Sequence, residues 1–299
     1  MRQRVRLGIG AAALALAGMA LGGCGLPRGV DGDLTNGWAA FPAGQVRVPA
    51  AGDCYDHLYD TAPVDCATVH EREVVFAGTF TGAAATRGRP PLADGPDAQA
   101  AWQRCAAPAA DYLAGDWHDG LLILELVLPS AGVWSVGARW FRCDVADVLE
   151  PWDTRLQSRT GSLRGVLKTA DLRLTCLDAT KLDSGWVGDH PAPCTQPHRD
   201  EYVGFFNAPN VAYLDPDAPV DPKTDRNPAA AYAESQCWPK VEALVGTRNV
   251  SAKIGWRYAG FDKVHWGFGD RSGRCFAGPL ADVEWTGSLK GLGSRDPKV

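Results

Sequence analysis

The side chains best equipped for chemistry stand in a pattern that the chain uses twice. Cys66-Ala-Thr-Val-His70-Glu-Arg-Glu73 reads Cys, three residues, His, two residues, Glu, and Cys194-Thr-Gln-Pro-His198-Arg-Asp-Glu201 reads the same. Thiolate, imidazole and carboxylate are all zinc ligands. A Cys beside a His is also a nucleophile beside its base, provided that the thiol is free. The alternative is structural: His70 and His198 orient a turn by hydrogen bonding to backbone or to Glu73 and Glu201. Cysteine arithmetic favours the structural reading. With Cys24 set aside, eight cysteines remain, and each has a counterpart at a repeat-equivalent position. In an exported chain disulfides are the default state of such a set, and one free thiol would leave an odd partner. No catalytic residue, metal or cofactor is therefore expected. His57, His118, His190 and His265 stand alone, and Ser130 and Ser184 have no evident base. The sequence contains no Gly-rich phosphate loop, Gly-x-Ser-x-Gly elbow or His-Glu-x-x-His.

The repetition extends well beyond this motif. Trp134-Ser-Val-Gly137-Ala-Arg139-Trp-Phe-Arg142-Cys143 aligns without a gap on Trp266-Gly-Phe-Gly269-Asp-Arg271-Ser-Gly-Arg274-Cys275. Cys105 precedes Cys143 by 38 residues, as Cys237 precedes Cys275. Cys54-Tyr-Asp56 matches Cys176-Leu-Asp178, and Thr160-Gly-Ser-Leu-Arg-Gly165 matches Thr286-Gly-Ser-Leu-Lys-Gly291. The chain reads as a tandem duplication, 52–168 and 172–292, each copy of ordinary small-domain length.

Each copy must build the elements that carry these residues. In the first, 53–59 and 73–80 have the apolar and β-branched character of strands; in the second, 173–177 and 201–206 do. A Pro- and Asp-rich loop leads to a helix. Asp94 or Asp97 can cap the first helix, Pro108 interrupts it and Gly115 closes it. Asn227 and Pro228 open the second, Pro239 interrupts it and Gly246 closes it, following the demands of orphan amides and the left-handed cap. Strands over 121–128 and 250–258, then 134–143 and 266–275, complete each sheet. The fold class is α+β: two tandem small domains, each an antiparallel sheet with a kinked helical segment, stapled by disulfides. The simplest pairing joins first to second and third to fourth cysteine in each copy: Cys54–Cys66, Cys105–Cys143, Cys176–Cys194 and Cys237–Cys275. Trp134 and Trp266 read as core aromatics. Arg139, Arg142, Arg271 and Arg274 are candidate ligand contacts, with ion pairs to acids such as Asp56 or Asp178 as the structural reading.

The first residues assign a compartment. Arg2, Arg4 and Arg6 precede an apolar run from Leu7 to Leu21, and Leu21-Gly-Gly leads into Cys24. This is the plan of a secretory signal, 1–23, and the run is short of the roughly 20 residues of a membrane span. The Leu-Gly-Gly-Cys junction resembles a bacterial lipobox. That resemblance implies a diacylglyceryl group on Cys24 and an anchor on the outer face of the cell membrane. Residues 24–51, rich in Gly, Pro and Ala, read as a flexible tether, and 293–299 as a disordered tail. Cleavage before Cys24 removes three arginines and no acid, taking the net charge from -5 to -8. Such a balance argues against nucleic acid and against a polybasic membrane patch.

Gly52-Asp53-Cys54-Tyr55-Asp56, Val64-Asp65-Cys66 with His70 and Glu73-Val74, the helical cysteine and the closing Gly-x-Arg-x-x-Arg-Cys together resemble the actinobacterial septum formation domain, in two copies. The second copy departs from the pattern, with Thr175 before its cysteine and 185–191 lengthening its first cysteine loop. The resemblance implies an extracytoplasmic, often membrane-attached domain associated with cell division, and no catalytic residues. The expected function is that of a lipid-anchored binding or scaffolding protein of the cell envelope, with an envelope or division protein as partner. The alternative is an envelope hydrolase or zinc enzyme using the repeated Cys-x3-His-x2-Glu.

Overall fold

The structure, a computed structural model, describes residues 46–151, 155–182, 185–209, 227–260 and 263–299. The signal segment, Cys24, most of the expected tether, Ser184 and the loop 210–226 lie outside the described residues.

The first half forms β1 (Cys54–Tyr55), β2 (Arg72–Thr79), three helices α1 (Gly82–Ala85), α2 (Pro96–Trp102) and α3 (Ala106–Leu113), then β3 (Leu122–Val127), α4 (Ala131–Ser135), β4 (Trp140–Val148) and β5 (Leu156–Gln157). Its antiparallel sheet has the order β1-β2-β4-β3, with β5 beside β4. The second half forms β6 (Cys176–Leu182), β7 (Gly185–Ala192), β8 (Pro197–His198), β9 (Asp200–Asn207), α5 (Pro228–Val245), β10 (Ile254–Gly260), α6 (Lys263–Phe268), β11 (Ser272–Pro279) and β12 (Trp285–Thr286). Its larger sheet runs β10-β11-β9-β6-β7. Read from the equivalent strands, β6-β9-β11-β10 repeats β1-β2-β4-β3. The added strand β7 is made by the longer cysteine loop. Both second strands carry a bulge at the same place: the register slips at Val75 in β2 and at Val203 in β9.

Two-residue alternation assigns the faces. Leu122, Leu124 and Leu126 of β3 pack with Ala98, Trp102, Ala109 and Leu113 of α2 and α3. In the second half α5 lays Ala229, Ala233 and Cys237 on Phe206 and Cys275, and Val241 and Val245 on Ile254 and Ala277. The opposite faces meet each other. Leu121, Ile123, Ala146 and Val148 of the first half share a core with Leu174, Leu177, Ala259 and Phe276. The layers therefore run helix, sheet, sheet, helix, and the whole of Gln45–Val299 is one compact unit. With both faces covered, all nine residues of β4 are buried. Disulfides join Cys54 to Cys66, Cys105 to Cys143, Cys176 to Cys194 and Cys237 to Cys275.

Several boundaries differ from the sequence reading. Strand 53–59 shrinks to Cys54–Tyr55, while 173–177 gives way to a strand starting at Cys176. Gly95, not an aspartate, caps α2, and Asp97 pairs instead with Arg87 at 2.6 Å. The break between α2 and α3 falls before Ala106, so Pro108 sits in the first turn, where its missing N–H would have been an orphan. Ala114 takes the left-handed cap, and Gly115 follows because a Cβ there would meet Leu167 Cβ at 3.1 Å. Helix α5 runs straight through Pro239, which is exposed, because the buried stripe Ala229, Ala233, Cys237, Val241, Val245 continues on both sides. The segments 134–143 and 266–275 are not strands throughout. Each begins as a short helix and turns into β4 or β11 through a glycine of positive φ, Gly137 (106°) or Gly269 (100°). Ser130 caps α4 by accepting from the Val133 amide at 3.3 Å. The tail 293–299, expected to be disordered, is tied down: the Gly293 amide bonds the Val245 carbonyl at 2.8 Å, Asp296 pairs with Lys253 at 2.7 Å, and Lys298 bridges to Thr286.

Candidate functional site

The repeated Cys, His and Glu fall at one corner of each half, just before β2 and β9. His198 Nδ1 donates to the Gln196 carbonyl at 2.8 Å, and its Nε2 accepts the Trp285 indole N–H at 3.0 Å. Both ring nitrogens are thereby used. His70 Nδ1 makes the same bond to the Thr68 carbonyl at 2.9 Å, and its backbone bridges to Arg159. The residue standing where Trp285 stands in the second half is Arg159, whose guanidinium grips Asp147 at 2.8 and 3.0 Å. His70 Nε2 is left buried without a hydrogen bond among the described residues.

The glutamates explain a second repeated motif. Buried Glu73 accepts from the Tyr112 hydroxyl, from Ser162 Oγ at 2.5 Å and from the Leu163 amide at 2.5 Å. Glu201 accepts from Ser288 Oγ at 2.5 Å and the Leu289 amide at 2.6 Å. Each carboxylate thus seats the Ser-Leu of a Thr-Gly-Ser-Leu turn, almost ninety residues downstream. Burial, reinforced by the bond to Glu73, pushes the Tyr112 phenol up.

Ligand atoms of Cys176, His198 and Glu201 lie within 4.8 Å of one another, as do those of Cys54, Cys66 and Glu73. The sulfurs are held in disulfides and offer no thiolate, and His198 and Glu201 are already bonded. These donors are committed to the fold, and the His–Cys pair has no thiol for a base to activate.

The candidate arginines make contacts within the fold other than the ion pairs expected. Arg139 donates to the carbonyls of Ala85, Trp134 and Ala138 and lies over the Trp134 ring at 4.2 Å. Arg271 repeats this over Trp266 at 3.9 Å, donating to the Trp266 carbonyl at 2.5 Å. Arg142 pairs with Asp144 at 3.0 Å, rather than Asp56, and stacks 3.9 Å from the Tyr55 ring. Burial pushes the Asp144 carboxyl up to about 6 against the pull of Arg142 and Arg72. Arg274 reaches across to the first half, donating to the carbonyls of His118, Pro151, Gly120 and Leu122 at 2.7–3.1 Å. One ion pair has changed sign between the halves. Arg72–Glu125 joins β2 to β3, and at the equivalent positions Asp200–Arg257 joins β9 to β10.

A groove opens where the halves join. It encloses about 500 Å³ between Asp119, Arg173 and Leu174 on one side and Tyr202, Val203, Gly204, Lys240, Ala243 and Leu244 on the other. The Tyr202 hydroxyl donates to Asp119 at 2.8 Å, and burial beside that carboxylate pushes the phenol up. Nearby, His118 stacks on Phe205 with ring centroids 4.4 Å apart and bonds Asp116 at 2.5 Å. Sequence reasoning singled out none of the groove's side chains. They come from a linker, a bulge and a helix flank, and no spacing unites them.

A family described as septum formation has a model that matches residues 51–275 in one span, running across both halves. No curated protein and no solved structure matches.

Proposed function

The chain belongs to the septum formation family, and from that premise we propose that it is a lipid-anchored extracytoplasmic protein that binds or scaffolds a partner in cell division. The family gives the cell-division role. The anchor rests on the sequence before and at Cys24, the actinobacterial envelope on the motif resemblance. The observation that carries the binding reading is the fate of the repeated motif. Its two cysteines, Cys66 and Cys194, are oxidised to disulfides with Cys54 and Cys176, and His198, Glu73 and Glu201 are bonded inside the fold. What remains for function is the surface of a rigid, stapled, two-sheet body, held off the membrane by residues 24–51 and presented to an envelope or division protein.

The test is crosslinking and affinity capture of the full chain from intact cells, with Cys24→Ser as control. The wild type should fractionate with membranes, carry acyl chains on Cys24 and capture a defined envelope protein. Cys24→Ser should leave the membrane fraction with its fold intact. A wild-type chain that is recovered without acylation or captures no partner at any crosslinker length would refute the proposal.

A further inference from the structure

The groove at the junction of the halves is lined by two cations, Arg173 and Lys240. Neither Arg173 nor Lys240 has a carboxylate partner or a side-chain hydrogen bond among the described residues, in contrast to Arg72, Arg142, Arg159 and Arg257. Arg173 is exposed at the mouth and Lys240 is half-buried. The Lys240 stem lies on the backbone of the β9 bulge: a Cβ at Gly204 would meet Lys240 Cδ at 3.5 Å and Nζ at 3.8 Å. Gly204 holds a φ of 125°, so the bulge keeps this seat clear of any side chain. The acid in the groove, Asp119, is already answered by the Tyr202 hydroxyl at 2.8 Å and by the charge of buried Arg274. The local excess is therefore two positive charges, beside apolar Leu174, Val203, Ala243 and Leu244.

The arrangement is not inherited from the duplication. Counterparts of Arg173, Gly204 and Lys240 in the first half are Ala51, Phe76 and Pro108. Only one half has acquired the seat and both charges, whereas a solubilising surface would need no such coincidence. A guanidinium fork and an ammonium lining one groove suit a carboxylate. The volume is within the roughly 300–1,000 Å³ of ligand pockets, and the apolar wall suits a neighbouring aliphatic side chain.

We infer that this groove binds an acidic peptide segment of a partner protein, taking a carboxylate between Arg173 and Lys240 and an apolar residue against Leu174 and Leu244. The inference rests on the binding reading above and gives its partner a chemistry. Association should be salt-sensitive, since Arg173 is exposed and Lys240 only half-buried.

The test is a titration of the isotope-labelled full chain with acetyl-Leu-Glu-Leu amide, followed by backbone amide shifts. Saturable shifts are expected at Leu174, Val203 and Gly204, with acetyl-Leu-Gln-Leu amide giving none. Arg173→Ala and Lys240→Met, which keeps the stem on Gly204, should each weaken binding at least about fivefold, an exposed-site discount on a charge-assisted bond. Equal binding of the Gln peptide, undiminished binding by both variants, or inorganic phosphate outcompeting the Glu peptide would each overturn the inference. Crosslinking in cells separates the two claims. A partner captured equally by wild type and the Arg173→Ala/Lys240→Met double variant removes the groove and spares the binding reading. A groove that saturates with peptide in a chain that captures nothing removes the binding reading instead.

Discussion

Removing the Glu73 carboxylate should cost this fold more than any change at its exposed surface. The side chain is fully buried and receives three donors, the Tyr112 and Ser162 hydroxyls and the Leu163 amide. A hydrogen bond to a charged group contributes about 1.5–3 kcal/mol, which summed over three donors is about 5–9 kcal/mol. Donors sharing one acceptor do not add, and in Glu73→Ala both hydroxyls can turn to other acceptors. The Leu163 amide cannot turn, so about 3–5 kcal/mol is the expected loss. Glu73→Gln should be milder, about 1–2 kcal/mol, because its amide oxygen can serve Leu163 while the hydroxyls rotate to accept from its NH2. Glu201 has two donors, and Glu201→Ala should cost about 2–4 kcal/mol. At about 2–4 °C per kcal/mol for a chain of this size, Glu73→Ala lowers Tm by about 6–20 °C. The assay is guanidinium unfolding under non-reducing conditions, followed by tryptophan fluorescence. Ser162→Ala, alone and combined with Glu73→Ala, gives the coupling, expected at about 1 kcal/mol or more. A Glu73→Ala protein within about 0.5 kcal/mol of wild type that no longer captures its partner would place this carboxylate on a ligand. The assignment of the repeated motif to structure would then be wrong.

Three further outcomes follow from the same contacts. The Asp144 carboxyl is raised from 3.8 to about 6, so the folded state holds a proton that the unfolded chain has released across that window. Stability should therefore fall by up to about 3 kcal/mol as pH rises from about 4 to 6, then level off, and Asp144→Asn should flatten this slope in denaturation curves. Arg72→Asp or Glu125→Arg alone should destabilise by about 2–4 kcal/mol, and the double reversal should recover at least half, since the second half already carries Asp200–Arg257 there. A double variant as unstable as the sum of the singles would show that the pair is not interchangeable. Arg274→Met strips the donors from five carbonyls of the first half, those of Trp117, His118, Gly120, Leu122 and Pro151, and should cost about 3 kcal/mol or more by chemical denaturation; a loss under about 1 kcal/mol would mean that water replaces the guanidinium.

Much of the architecture was legible because duplication is a comparison that one chain carries within itself. Two sets of cysteines in matching order leave few sensible pairings, and Asn227-Pro228 and Gly246 mark helix ends by local stereochemistry alone. The errors were local as well. Cys105-Ala-Ala-Pro108 and Cys237-Trp-Pro239 look alike in sequence, but the prolines differ by one position relative to the cysteine. One proline falls in a first turn, while the other is carried through by a continuous buried stripe. Gly137 and Gly269 read as parts of strands because no neighbouring residue reports a positive φ.

By itself, the sequence determined the class of fold, the repeat and the corner that Cys66, His70 and Glu73 form, because repetition and spacing are properties of order along the chain. What Glu73 and Glu201 do was decided only in three dimensions. Their partners lie almost ninety residues away in a motif that sequence could match but not connect. The same holds for Arg274, which aligns with Arg142 between the shared Arg and Cys of the closing motif, yet reaches carbonyls of the other half, which its sheet faces across a shared core. The groove of Arg173 and Lys240 belongs wholly to tertiary structure. Its two cations have no carboxylate partner among the described residues, and only packing decides which charges are left without one.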